Sequence, residues 1–190
     1  MRKFVHLRGS MATGKTSTAR SIISRGNYEV RFVTIAGKEY PYTYDENKKW
    51  IVTGRYDKAV CGGLDGVITN REIMKYYIMK LLKEINPEVV VFEAVMYGHT
   101  FKFGKECADI CRANGYEYIG ILLAPEFDVV LSNMYKRNGG KKINVDNLCS
   151  KYFGALTSAD KLNKAGVRVV REDTSKYPLD GLYKVVEKWL

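Results

Sequence analysis

The chain has 190 residues, 46% of them apolar, which is enough for one domain whose core needs no disulfide or metal staple and too apolar for a disordered chain. Thirty-one Lys and Arg against 21 Asp and Glu leave a net charge of +10, which points either to a polyanionic partner or simply to a basic surface. No apolar run approaches the ~20 residues of a membrane helix, and the N-terminal segment has neither a long apolar stretch nor a small-residue cleavage site, so a cytoplasmic protein with no membrane partner is expected.

In chain order, Lys3–Leu7 reads as a short strand, followed by a glycine loop and a helix from Lys15 to about Ser24. Residues 28–53 carry three β-rich segments, separated by Ala36-Gly37-Lys38 and Asp45-Glu46-Asn47-Lys48, and predict a small antiparallel meander inserted in the domain. Thr69–Ile85 has helical spacing, Glu88–Val95 is a buried strand, Phe103–Asn114 a helix, and Tyr118–Leu123 another buried strand. Pro125 opens a helix running to about Arg137, Asn144–Ala165 is helical, Val167–Val170 a short strand, and Leu179–Leu190 a last helix. Cys107 and Cys111 lie one helical turn apart with no matching pair elsewhere, which favours buried thiols over half a metal site; Cys61 and Cys149 show no paired spacing either. Repeated βα units predict an α/β three-layer sandwich with a largely parallel sheet, spanning residues 1–190 as one domain.

The first motif is Gly9-Ser10-Met11-Ala12-Thr13-Gly14-Lys15-Thr16-Ser17, which contains G-x-x-x-x-G-K-T without a mismatch, after a strand and opening a helix. Gly9 and Gly14 let the backbone curl so that successive N–H groups face phosphate oxygens, and the helix N-terminus adds partial positive charge. Lys15 is then expected on the β- and γ-phosphates of ATP and Thr16 on Mg²⁺. Val89-Val90-Val91-Phe92-Glu93 is an apolar strand ending in a carboxylate, which places Glu93 beside the metal, holding a coordinating water or orienting water or substrate. Lys136-Arg137-Asn138-Gly139-Gly140-Lys141-Lys142 reads either as a cationic lid with Arg137 on the transferred phosphoryl group or as a basic helix end.

Between the meander and the next helix lies Gly54-Arg55-Tyr56-Asp57, and then Cys61-Gly62-Gly63-Leu64-Asp65-Gly66. Two acids, an arginine and four glycines are more than core packing calls for. Asp57 or Asp65 is a candidate proton acceptor for an incoming hydroxyl, Arg55 a candidate for an acceptor phosphate, and Gly62 and Gly63 allow close approach of a base or sugar. Tyr97, Gly98, His99 and Thr100, just after Glu93, are candidates for the same pocket, with His99 read equally well as a solvent-facing loop residue. A pair of tight turns accounts for the Asp and Gly content equally in kind.

Taken together, Gly9–Ser17, the Gly-Arg-Tyr-Asp and Cys-Gly-Gly-x-Asp loop, Val91-Phe92-Glu93 and the loop 136–142 resemble the bacteriophage P-loop kinases akin to nucleoside monophosphate kinases. The resemblance extends to the phage 5-hydroxymethyluracil DNA kinases and spans nearly the whole chain. It implies transfer of the γ-phosphoryl group of ATP, with Mg²⁺, to the 5-hydroxymethyl group of the modified base in DNA, priming it for hypermodification. The alternative is a kinase of free nucleosides or nucleoside monophosphates. For a DNA acceptor, Lys48, Lys49, Lys102 and Lys105 are candidates to track the backbone. Tyr40, Tyr42, Tyr44 and Trp50 offer either a stacking platform or half-buried sheet residues.

Overall fold

The apolar N-terminal run becomes β1 (Arg2–Arg8), the strand on which the sheet is centred. The computed structural model describes residues 1–57, 63–64, 67–94 and 100–190. After β1 come α1 (Lys15–Ile23), β2 (Tyr28–Ile35), β3 (Lys38–Asp45), β4 (Trp50–Thr53), α2 (Arg71–Lys80) and β5 (Val89–Glu93). Then follow α3 (Phe101–Ala113), β6 (Tyr116–Leu123), α4 (Phe127–Arg137), α5 (Val145–Lys164), β7 (Val169–Glu172) and a short α6 (Tyr183–Val186). The strands form one seven-stranded sheet in the order β2-β3-β4-β5-β1-β6-β7. From β4 to β7 every neighbouring pair is parallel, while β2/β3 and β3/β4 are antiparallel. This is a mixed α/β fold with, among the described residues, six α-helices. None of them is long and apolar enough to cross a membrane.

Strand β1 shows why the sheet needs a helix layer on each side. Phe4 and His6 point to one face and Val5 and Leu7 to the other, and all four are fully buried. The Phe4 face is covered by α2, α3 and α5 through Met74, Tyr77, Phe103, Cys107 and Leu162. The Val5 face is covered by α1 and the C-terminal segment through Ala19, Ile22, Leu182 and Val186. A third, smaller cluster joins α4 to α5 around Val130, Leu148 and Tyr152.

Residues 28–53 do pair as an antiparallel meander, but it is continuous with the main sheet. Strand β4 lies parallel to β5, with Ile51 opposite Val90 and Val52 opposite Val91. Ile51 and Val52 are buried on opposite faces, so β4 has two apolar sides to cover, which a free-standing hairpin would leave wet. The helix expected from Thr69 is capped by Asn70, whose side chain accepts from the N–H groups of Glu72 and Ile73. It then widens into a π-turn over Leu81–Ile85 and stops at Asn86 in a left-handed conformation. The last strand starts two residues later than its valines suggest, because the Val167 N–H is still taken by the Leu162 carbonyl of α5 at 2.9 Å. The expected last helix is broken into 3-10 turns on either side of α6.

Five parallel strands end at the same edge. Strand β1 lies between β5 and β6, where the chain, having built one half of the sheet, crosses to build the other. In open α/β sheets the crevice outside the carboxyl ends at such a reversal is the usual ligand position. The Gly9–Thr16 loop leaves β1 there.

Candidate functional site

The loop between β1 and α1 takes its shape from three left-handed residues, Gly9 (φ 138°), Ala12 (φ 60°) and Gly14 (φ 95°). At Gly9 a side chain would stand 2.6 Å from Thr13 Oγ1 and 2.9 Å from the Leu123 carbonyl oxygen, so only glycine fits. Gly14 caps α1, and the Thr18 hydroxyl donates to its carbonyl at 3.0 Å. Lys15 is only 4% exposed and its ammonium folds back over the loop, donating to the carbonyls of Ser10 (2.6 Å) and Gly9 (3.1 Å). The Thr13 hydroxyl donates to the same Ser10 carbonyl at 3.1 Å. Met11 and Ala12 pack against the α4–α5 cluster, and Asn133 of α4 donates to the Ala12 carbonyl at 3.3 Å. Opposite them, a side chain on Gly14 would meet Leu182 at 2.8 Å, so the C-terminal segment abuts the loop. Ser17 lies on the first turn of α1 and is half-buried.

Glu93 ends β5 and is fully buried. The Thr16 hydroxyl donates to its Oε1 at 3.1 Å, the Tyr56 hydroxyl donates to its Oε2 at 3.1 Å, and its own N–H donates to Thr53 Oγ1 at 3.1 Å. The two carboxylate oxygens are thus held from opposite sides, by α1 and by the loop after β4. That loop is closed by a bridge between Arg55 and Gly63, with N–H to carbonyl distances of 3.0 and 3.4 Å. Gly54 and Gly63 are both left-handed, and a side chain on Gly63 would stand 2.3 Å from Glu93 Oε2. The closeness expected of Gly63 is therefore seen first against the protein's own carboxylate.

Arg55 and Asp57 pair with each other. Arg55 Nε donates to Asp57 Oδ1 at 2.8 Å and Nη2 donates to Oδ2, with about two-fifths of each side chain exposed. Tyr56, between them, turns inward to Glu93. Gly62, Asp65 and Tyr97, with Cys61, Gly98 and His99, lie outside the described residues. At the expected lid, α4 ends at Arg137 and the chain passes through two left-handed glycines, Gly139 (φ 61°) and Gly140 (φ 75°), around which a side chain would meet nothing within 4 Å. Lys136, Arg137, Lys141 and Lys142 are exposed. The N–H groups of Gly139 and Gly140 donate back to the Lys136 and Tyr135 carbonyls at 3.3 and 3.1 Å, so the turn caps the helix that touches Ala12.

The sheet decides between the two readings of the meander tyrosines and places the four lysines at different ends. Tyr40, Tyr42 and Tyr44 are only 4–7% exposed because they face α2, leaving no platform there, and Trp50 is half-buried against the opposite cluster. The exposed apolar side chains of the meander are Val30 and Phe32, on edge strand β2. Lys48 and Lys49 precede β4, whose first residue aligns with Val89 and, through it, Lys3. They sit at the amino end of the parallel strands, roughly 20 Å along the sheet from the Gly9 loop at ~3.3 Å per residue. Lys102 and Lys105 are exposed on the first turns of α3, at the carboxyl end.

Three side chains at the site carry no role in the sequence reading. Tyr56 is one. Arg8, fully buried before Gly9, donates from Nη2 to Ser158 Oγ (3.0 Å) and the Thr100 carbonyl (3.2 Å), and among the described residues no acceptor is recorded for its Nε and Nη1. His6, also fully buried, shares a 2.8 Å hydrogen bond between Nδ1 and the Tyr118 hydroxyl. Burial, then the charges of Arg8 and Lys15, hold His6 well below the ordinary imidazole range. The signal available was the alternation of His6 and Arg8 within an otherwise apolar strand: polar groups on a doubly buried strand need partners.

A nucleotide and a hard cation fit these residues. The loop combines a helix N-terminus free of acidic residues in its first turn with a lysine, the combination that receives phosphate oxygens. Thr16 and Glu93 supply adjacent oxygen donors suited to Mg²⁺. Among the described residues no group of three or more His, Cys, Asp or Glu could hold a metal alone.

No family model matches the chain, and no curated protein sequence matches it. Among solved structures it is similar to the tunicamycin resistance protein of Deinococcus radiodurans, at 12% identity and a TM-score of 0.55, covering 100% of this chain and 96% of that one. At that identity the likeness speaks for the fold.

Proposed function

We propose that the chain is an ATP-dependent phosphotransferase whose acceptor is the 5-hydroxymethyl group of 5-hydroxymethyluracil in DNA. The observation that carries the phosphotransferase reading is the junction of Lys15 and Thr16 with Glu93: loop, cation, hydroxyl and carboxylate meet at the carboxyl end of the central strand. Bound Mg²⁺ would neutralise charge on the β- and γ-phosphate oxygens. Lys15 would leave the Ser10 and Gly9 carbonyls for those oxygens, Thr16 and Glu93 would hold the metal, and Arg137, at the end of α4, would face the charge that develops during transfer. Arg55 exchanges Asp57 for a phosphate of the acceptor, and the released Asp57 takes the proton of the attacking hydroxyl. The acceptor assignment rests on the resemblance of the 54–65 loop and on the +10 charge.

A second reading, a kinase of a free pyrimidine nucleoside or nucleotide, is favoured by the burial of the three tyrosines and by the remote position of Lys48 and Lys49. The deciding experiment is transfer of label from γ-labelled ATP to an oligonucleotide containing 5-hydroxymethyluracil, an unmodified control and a panel of free nucleosides and monophosphates. Label confined to the modified oligonucleotide supports the DNA reading. Label confined to a small acceptor replaces it with the second, and no label on any acceptor sinks both.

A further inference from the structure

Two polar contacts to the side chain of Glu93 come from different sides of the site. Thr16, on α1, belongs to the nucleotide side; Tyr56 belongs to the loop that faces the acceptor. Tyr56 is the inward member of the sequence Arg55-Tyr56-Asp57, whose outer members pair at the surface. Its ring packs against the cluster that includes Val52, Val91 and Ile22, so the hydroxyl is delivered to Oε2 from a fixed base. Gly63 lies beside the same oxygen, where a side chain on it would stand 2.3 Å from Oε2.

We infer that Tyr56 is a positioning residue for the magnesium site, a role that rests on the phosphotransferase reading. A buried carboxylate with one oxygen fixed by Tyr56 presents the other, Oε1, towards Thr16 and the metal in a single orientation. With that donor removed, Oε2 loses one of its hydrogen bonds and the carboxylate is held less firmly towards Thr16. Outer donors to metal-bound carboxylates typically change metal affinity or activity by ~10- to 100-fold when removed. Tyr56 also ties the acceptor loop to the metal carboxylate, so displacement of that loop is felt at Glu93.

The test is Tyr56→Phe, which keeps the packed ring and removes only the hydroxyl. Binding of a fluorescent ATP analogue is titrated with Mg²⁺ for wild type and variant, with EDTA controls and melting temperatures alongside. The inference expects unchanged nucleotide binding in EDTA, a melting temperature within a few degrees of wild type, and a Mg²⁺ half-saturation raised by about 10-fold or more. It expects kcat for transfer to fall while KM for ATP at saturating Mg²⁺ stays put. Gly63→Ala, which pushes on the same oxygen, should raise the Mg²⁺ requirement likewise. An unchanged Mg²⁺ half-saturation in Tyr56→Phe overturns the inference and leaves the phosphotransferase reading standing. Failure of the wild-type protein to bind the nucleotide analogue removes both.

Discussion

The Thr16 hydroxyl donates to Glu93 Oε1 at 3.1 Å, joining the first turn of α1 to the last residue of β5 across the end of the sheet. Neither residue is near the other in sequence, and neither alone makes a metal site. Replacing Glu93 by Gln keeps the shape but removes the charge. Transfer should drop by about 100-fold or more, the scale on which loss of one charge-stabilising group acts, while the fold survives. Lys15→Ala should lose transfer at least as severely and weaken ATP binding too, which steady-state kinetics with a nucleotide-binding assay would separate.

Asp57 is held by Arg55 in the structure, so its availability depends on what takes the arginine. Asp57→Ala should leave ATP binding intact and abolish transfer. Arg55→Ala should raise the acceptor KM while kcat changes less. Full activity in Asp57→Ala would return the proton-acceptor role to Asp65.

Two glycines in left-handed turns should differ sharply when replaced by alanine. At Gly63 (φ 79°) the added carbon meets Glu93 Oε2 at 2.3 Å, so strain and a displaced carboxylate combine, with a cost of about 2–4 kcal/mol and a marked loss of transfer. At Gly139 (φ 61°) nothing lies within 4 Å, so only the backbone cost of ~1–2 kcal/mol applies. Denaturant melts of the two variants check the order.

His6 gives stability a defined pH dependence. Its folded pKa is depressed, so the folded state keeps the ring neutral while the unfolded chain protonates near the ordinary 6.5. The unfolded state therefore binds the extra proton, and stability is fully present above that value and lost as pH falls below it. The loss from this group is at most about 1.4 kcal/mol per pH unit until the folded pKa is reached. Urea melts between pH 7.5 and 5 should show that slope in wild type and a shallower one in His6→Phe, whatever the absolute stability of the variant.

Much of the site was legible because backbone geometry demanded it. Gly9, Gly14 and Lys15 are spaced as a tight turn into a helix requires, and Val89–Phe92 cannot be anything but a doubly covered strand ending in Glu93. What was not legible depended on which face meets which layer. Alternating Tyr40, Tyr42 and Tyr44 announce a face but not its direction, and only the position of α2 turns them into core. The tie from Tyr56 to Glu93 joins residues 37 apart in sequence, and no local pattern encodes it. Lys48 and Lys49 read as surface cations correctly, but the strand direction of β4 decides at which end of the sheet they stand.

The Gly9–Thr16 loop is supported by pieces of chain from its far reaches: Val130, Leu148 and Tyr152 behind Met11 and Ala12, and Leu182 against Gly14. Contacts of such sequence separation carry a loop-closure cost that must be met before they stabilise anything. The loop is therefore not a module that holds its surroundings independently of the rest. It keeps them only when residues from both halves of the molecule are in place, so on the proposed function nucleotide binding would report on global integrity. By the same linkage, a nucleotide at a hundred times its Kd would stabilise the whole domain by about 2.7 kcal/mol, so a substrate-loaded cell would hold this chain folded more firmly than a starved one.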